Sequence, residues 1–145
     1  MLRFSDLIDP EIYNQTFFTA LIETCIHPDF GVFTEKTAKP IIAKRPFVVF
    51  GSFGQLRALR ELGFKTFSPV IDEDYDMITN DRDRFKKVLD SMLELSGQDP
   101  FIVYEKLKEV LDHNKKHFEE NDWNSSFLRQ IENCGKKIDL NSFTS

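Results

Sequence analysis

The chain has 145 residues, of which 41% are hydrophobic and 30% charged, and its formal net charge is −5. These proportions are typical of one globular domain. The Lys and Arg residues are dispersed, which argues against a nucleic-acid-binding surface. No apolar run approaches the ~20 residues of a membrane span. The start lacks a basic region followed by an apolar core, so we predict no secretory signal and a cytoplasmic location.

A crossover between two strands is predicted in the first third of the chain. The apolar run Phe17–Ile22 has the length of a buried strand, and a second run, Phe47–Phe50, ends at Gly51. Between them, Thr34 is a suitable N-cap for a helix that Pro40 should kink or shorten. The pattern therefore predicts a strand, a loop, a helix and a second strand.

A further helix and strand extend this unit. Gly54–Leu62 has leucines at helical spacing and is followed by Gly63, which suits the position after a helix. The run Lys65–Ser68 is predicted as a third strand, and a fourth is expected near the N-terminus. The expected fold class is α/β, a Rossmann-like three-layer parallel sheet of three to four strands with right-handed connections. One edge of this sheet should remain open to a missing lobe or to a second copy of the chain.

The C-terminal third is predicted to be helical. One helix should begin near Asp81 and end at Gly97, and the next should begin with Asp99 as N-cap and Pro100 as first helical residue. A third is predicted at residues 124–133. The residues expected to face the core are Phe85, Val88, Leu89, Met92 and Leu93 in the first helix and Phe101, Tyr104, Leu107, Val110 and Leu111 in the second. The single domain thus divides into a βαβαβ core at residues 1–80, a helical part at 81–134 and a polar tail at 135–145.

Polar residues gather where the two predicted parallel strands end. Ligands of open parallel sheets bind beside the carboxyl ends of the strands, and a helix N-terminus at that place favours a phosphate. Glu35 would accept hydrogen bonds from ribose hydroxyls, Lys36 would supply positive charge for a diphosphate, and Gly51 would let the second strand approach the ligand closely. The alternative is that Thr34 and Glu35 form an ordinary helix start.

The acidic segment Asp72–Asp76 supports a competing hypothesis. The spacing of Asp72 and Asp74 is that of a D-x-D motif, in which two carboxylates and a divalent ion hold a diphosphate. The alternative is an acidic loop that caps the following helix. Cys25 and Cys134 lack the spacing of a zinc site or a disulfide framework, so both are expected to be reduced packing residues.

The segment from Leu21 to Gly51 resembles the donor-binding motif of the fucosyltransferases that make α-1,3 linkages. The family pattern runs F-E-N-S-x-H-P-D-Y-x-T-E-K and continues through a helix to a strand of the type P-V-V-x-G. The matching residues are, in order, Glu23, His27-Pro28-Asp29, Thr34-Glu35-Lys36 and Pro46-Phe47-Val48-Val49-Phe50-Gly51. The chain departs from the pattern at Thr24, Cys25, Gly31, Val32 and Phe33. A looser resemblance to other glycosyltransferase-like proteins covers roughly residues 17 to 80.

This resemblance implies the nucleotide-sugar-binding lobe of a two-lobed, metal-independent GT-B fold. The implied donor is GDP-linked, no metal or further cofactor is implied, and no residue is assigned as catalytic. The implied donor-binding residues are Glu23, Thr24, Thr34, Glu35, Lys36 and Gly51, with loop contributions from His27 and Phe33.

The length of the chain matches one lobe rather than two. We therefore expect a fragment, a subunit that needs a second lobe or its own copy, or a relative that binds without catalysis, so enzyme activity of the chain by itself is left open. Two other hypotheses also remain open. One is a non-catalytic assembly or regulatory module, and the other is a metal-dependent transferase that uses Asp72 and Asp74.

Overall fold

The computed structural model describes residues 10–23 and 33–123, and in those ranges it shows a mixed α/β fold. A short 3-10 helix, Asp74–Met77, precedes the last two α-helices. The other elements, in chain order, are α1 (Pro10–Gln15), β1 (Thr19–Ile22), α2 (Glu35–Ile42), β2 (Phe47–Phe50), α3 (Gln55–Glu61), α4 (Asp81–Ser96) and α5 (Pro100–Glu119). The predicted third C-terminal helix and the polar tail lie outside the described residues.

The two strands are parallel neighbours, as the crossover predicts. Thr19 pairs with Phe47 and Ile22 with Phe50. Strand β2 is buried on both faces, since Val48 is fully buried and Phe47 is 1% exposed, whereas Ile22 in β1 is 65% exposed. Strand β1 begins two residues later than predicted.

The predicted third strand, Lys65–Ser68, does not form, and the sheet in the described part of the chain has two strands. Side chains take the place of a neighbouring strand. The Asn114 amide accepts from the Lys65 N–H and donates to the Lys65 carbonyl, both at 2.8 Å, and the Glu73 carboxylate accepts from the Phe67 N–H at 2.6 Å. Because these backbone groups are already satisfied, the segment needs no neighbouring strand and lies outside the sheet.

We expect Asn114→Ala to lower the free energy of unfolding by about 2 kcal/mol, because it removes two hydrogen bonds from a part-buried peptide. Urea unfolding followed by circular dichroism measures the change. Lys108→Ala, an exposed site on the same helix, is the matched control and should change stability by less than about 0.5 kcal/mol. Equal effects of the two substitutions would contradict the bridging role of Asn114.

The boundaries of α2 and α3 follow their local signals. Thr34 is the N-cap of α2, as predicted, and its hydroxyl accepts from the Lys36 N–H. Pro40 lies inside α2, which ends two residues later, so the helix is short. Gly63 follows α3 with a φ of +93°, a conformation that L side chains rarely adopt. The cap and the terminating glycine are confirmed.

The starts of α4 and α5 are also confirmed, but their inward faces differ from the prediction. Asp99 caps α5, and Pro100 is its first residue. Leu89, Leu93 and Phe101 are 44%, 59% and 73% exposed, so their assignment to the core was wrong. The buried positions of the two helices are Arg84, Val88, Ser91 and Leu95 in α4 and Val103, Leu107, Leu111 and Asn114 in α5. The buried face of each helix therefore includes polar residues. For this reason it does not coincide with the face that the hydrophobic residues alone predict.

Arg45, which precedes β2, ties the starts of both strands to α5. Its side chain is 4% exposed and donates to the carbonyl and hydroxyl of Thr16 and to the Tyr104 hydroxyl. Tyr104 in turn donates to the Phe17 carbonyl at 2.9 Å. These contacts fix the amino ends of the strands, opposite the edge where the predicted site lies.

Candidate functional site

Glu23, Thr34 and Lys36 come together at the carboxyl end of β1, as the crossover predicts. The Glu23 side chain is 2% exposed. Its carboxylate accepts from the Thr34 hydroxyl at 3.2 and 3.3 Å and from the Thr37 hydroxyl at 3.1 Å. Glu23 therefore organises the first turn of α2, because it fixes the hydroxyl that caps the helix and a second hydroxyl one turn later.

Lys36 lies at the same edge of the sheet. Its ammonium donates to the Ile22 carbonyl at 3.1 Å, and its backbone N–H donates to the Thr34 hydroxyl at 3.3 Å. The first turn of α2 therefore carries this cation, and the carbonyl of the last residue of β1 holds its ammonium. A positive charge is thus positioned beside the positive end of the helix dipole.

The other predicted contacts are only partly described. Thr24 and His27 lie outside the described residues, and of Glu35 only the backbone, as first residue of α2, is described. Phe33 is 2% exposed and belongs to the hydrophobic core. Thr37 was missed by sequence reasoning, although its position three residues after Thr34 places both hydroxyls on one helix face.

Gly51 follows β2 and is buried. Its carbonyl accepts from Arg84 Nε at 3.0 Å, and a Cβ at this position would lie 3.1 Å from Val49 Cγ1. These contacts are internal to the chain. They indicate that the absence of a side chain at residue 51 serves close packing at the end of the strand.

The turn from β2 to α3 is the second place where a parallel sheet could hold a phosphate, and a carboxylate of the chain fills it. Asp76, which is 2% exposed, accepts from the Leu56 N–H at 2.7 Å and the Arg57 N–H at 2.9 Å. Its carbonyl accepts from the Gly54 N–H at 2.9 Å. These amides therefore already have an anionic partner, and a phosphate at this turn would have to displace the Asp76 carboxylate.

The remaining carboxylates of the acidic segment line a cleft of about 400 Å³. Asp72 pairs with Lys87 at 2.5 Å, and hydrogen bonds from Lys87 and from the Asp74 N–H lower the pKa of Asp72. Burial raises the pKa of Glu73, although hydrogen bonds from Thr66 and from the backbone oppose this shift. In residues 10–23 and 33–123, no group of three or more His, Cys, Asp or Glu is arranged to hold a metal ion.

Comparison with known proteins adds no family to these observations. The chain matches no protein-family model, no curated protein and no solved structure. Across the described ranges, none of the helices has the length and apolar character needed to span a membrane. The resemblance to fucosyltransferases therefore rests on the sequence motifs alone.

Proposed function

We propose that this chain binds the diphosphate of a nucleotide sugar at the carboxyl end of β1, as a donor-binding lobe similar to that of fucosyltransferases. One observation carries the proposal. The Lys36 ammonium is held 3.1 Å from the Ile22 carbonyl, at the edge where a parallel strand leads into the first turn of α2.

The charges at this edge make Lys36 the decisive residue. The helix dipole and the ammonium both attract a diphosphate. The Glu23 carboxylate opposes it, although two threonine hydroxyls hydrogen-bond to this carboxylate. An anion at this place therefore needs the Lys36 cation, which would neutralise the diphosphate and the charge that develops on it as leaving group.

The neighbouring residues have separate roles in the proposal. Glu23 positions Thr34 and Thr37, and Glu35 would accept from the ribose hydroxyls of a GDP-linked donor. None of these residues is proposed as an acid or base for sugar transfer. Transfer would therefore require a second lobe or subunit that binds the acceptor.

Calorimetric titration with GDP, UDP and CDP tests this function, each with and without Mn²⁺. We expect one nucleotide, GDP, to bind with equal affinity in both conditions, because Lys36 rather than a metal neutralises the diphosphate. Absence of binding to all three nucleotides would contradict the proposal. An affinity that rises with Mn²⁺ and loses this rise in Asp74→Ala would support the metal-dependent transferase instead.

A non-catalytic assembly module is the second candidate, and exposed apolar side chains on α4 and α5 favour it. Leu89 and Leu93 lie one turn apart on α4, and Phe101 and Ile102 lie in the first turn of α5; all four are at least 44% exposed. An assembly module would associate in sedimentation experiments without binding any nucleotide. Nucleotide binding by a monomer would contradict it.

A further inference from the structure

Strand β1 has one unpaired edge in the part of the chain that the structure describes, because its partner there is β2 alone. The backbone bonds to the β2 segment come from the odd-numbered residues of β1. The Thr19 and Glu23 N–H groups donate to carbonyls in or next to β2, both at 3.0 Å. In a strand, the backbone groups of alternate residues point to opposite edges. The N–H and carbonyl groups of Ala20 and Ile22 therefore point away from β2, along the outer edge.

The sequence of β1 does not protect this edge. Natural edge strands carry charged residues, prolines or bulges that prevent pairing with another chain. The four residues of β1 are uncharged and include no proline, and both outward residues are accessible, since Ala20 is exposed and Ile22 is 65% exposed. The Ile22 carbonyl accepts from the Lys36 ammonium, but a carbonyl oxygen has two lone pairs and can accept a second hydrogen bond. The edge is thus open to a further strand.

The outward residues of β1 complement those of a second β1 strand. In an antiparallel pair, two residues that exchange both hydrogen bonds lie directly opposite each other. A pairing centred on Leu21 places Ala20 opposite Ile22 of the partner subunit, and the reverse pair follows by symmetry, which gives four backbone hydrogen bonds. Opposite side chains lie on the same face of a sheet. The small alanine leaves room for the isoleucine, so the strand fits its own copy.

The same register continues an apolar face of the sheet. Within one chain, Ile22 lies opposite Phe50, and Ala20 lies opposite Val48. Across the paired copies, these residues would form two rows of neighbouring apolar side chains, each row running over four strands. A second copy therefore extends the sheet without placing a charge between the paired side chains, which would be costly to bury.

We propose that two copies of this chain associate through antiparallel pairing of their β1 strands, which gives a four-stranded sheet in the order β2-β1-β1-β2. The pairing involves four residues of each chain, an interface smaller than that of permanent dimers, so the dimer forms reversibly. It lies beside the edge that carries Lys36, but it does not require a bound nucleotide.

Sedimentation equilibrium over a series of protein concentrations tests the association. The wild-type chain should change from monomer to dimer as its concentration rises, whereas Ala20→Pro and Ile22→Lys should remain monomeric. The proline removes an outward N–H that β2 does not use, as in natural edge strands, and the lysine places a charge on the paired edge. Far-UV circular dichroism shows whether each variant is folded.

Met77→Lys is the matched control for Ile22→Lys. Met77 is 59% exposed and lies in the 3-10 helix, which packs against α3 and α4. Its substitution adds the same charge in place of an exposed apolar side chain, so Met77→Lys should dimerise as wild type. A dimer that Met77→Lys abolishes and Ile22→Lys leaves intact would overturn the proposal.

Hydrogen exchange followed by NMR locates the interface. The Ala20 and Ile22 amides should exchange more slowly at high protein concentration than at low concentration, because they become hydrogen-bonded in the dimer. A wild-type chain that stays monomeric at about 0.5 mM, where a dimer with a Kd below about 1 mM would be detected, would overturn the proposal. A dimer in which both amides exchange at a rate independent of concentration would also overturn it, because the copies would then meet through another surface.

Discussion

Arg84→Met is expected to lower the free energy of unfolding by about 3–4 kcal/mol, because it leaves one buried and two part-buried carbonyl oxygens without this donor. Arg84 is 2% exposed. It donates to the Gly51 carbonyl at 3.0 Å, to the Ile78 carbonyl at 2.9 Å and to the Thr79 carbonyl at 3.2 Å. The guanidinium thus joins the end of β2 to the loop before α4, and methionine fills the volume without satisfying these oxygens.

The matched control for Arg84→Met is Arg82→Met, at an exposed position on the same helix. It removes the same charge without removing a buried hydrogen bond, so we expect a change below about 0.5 kcal/mol. Urea unfolding followed by circular dichroism compares the two. A loss below about 1 kcal/mol in Arg84→Met would show that these bonds contribute little net stability.

Asp76→Ala is expected to cost about 2–4 kcal/mol, because it leaves the buried Leu56 N–H and the part-buried Arg57 N–H without an acceptor at the start of α3. Asp76→Asn keeps one acceptor oxygen, and its expected cost is about 1 kcal/mol. Urea unfolding measures both. Asp74→Asn, on the exposed neighbour, is the control and should have little effect.

The same variants separate a structural role of the acidic segment from a metal-binding role. If Asp76 caps α3, the loss in Asp76→Ala will be the same with and without Mn²⁺. If the segment binds a metal through Asp72 and Asp74, Mn²⁺ will stabilise the wild-type chain and will fail to stabilise Asp74→Asn. The second result would support the D-x-D hypothesis.

Local signals in the sequence predicted much of the fold. Thr34, Asp99 and Pro100 act within one helical turn of their own positions, so their roles follow from neighbouring residues alone. The parallel crossover followed from two apolar runs separated by a helix. From this topology it follows that Glu23, Thr34 and Lys36 lie at one edge of the sheet.

The features that the sequence did not predict, a missing third strand and buried polar residues in α4, depend on side chains that are distant in the chain. The segment at residues 65–68 has the composition of a strand, but Asn114, 49 residues from Lys65, satisfies the backbone of Lys65. Arg84 and Ser91 are buried because backbone carbonyls accept from both of them. A hydrophobic pattern assigns such residues to the surface. The core-facing side predicted for α4 was therefore turned about the helix axis relative to the observed one.

The site shows the same division between local and distant determinants. Lys36 was predicted beside a helix start, and the structure places it there. Glu23 was expected among the donor-binding residues, and the structure shows its carboxylate buried against Thr34 and Thr37. Burial of a carboxylate depends on which hydroxyls surround it in the folded chain, and that arrangement is not visible in the spacing of the residues.

The most direct test of the proposed function is calorimetric titration of GDP into wild type, Lys36→Met and Lys44→Met. Lys44 follows the C-cap of the same helix and pairs with Asp112, so its substitution removes an equal charge at the opposite end of α2 from the proposed diphosphate position. We predict that Lys36→Met weakens GDP binding by about tenfold or more, as expected for loss of a charge-assisted contact of about 1.5–3 kcal/mol, while Lys44→Met binds as wild type. Equal affinities for all three proteins, or no binding by the wild-type chain, would contradict a donor-binding lobe at this edge of the sheet.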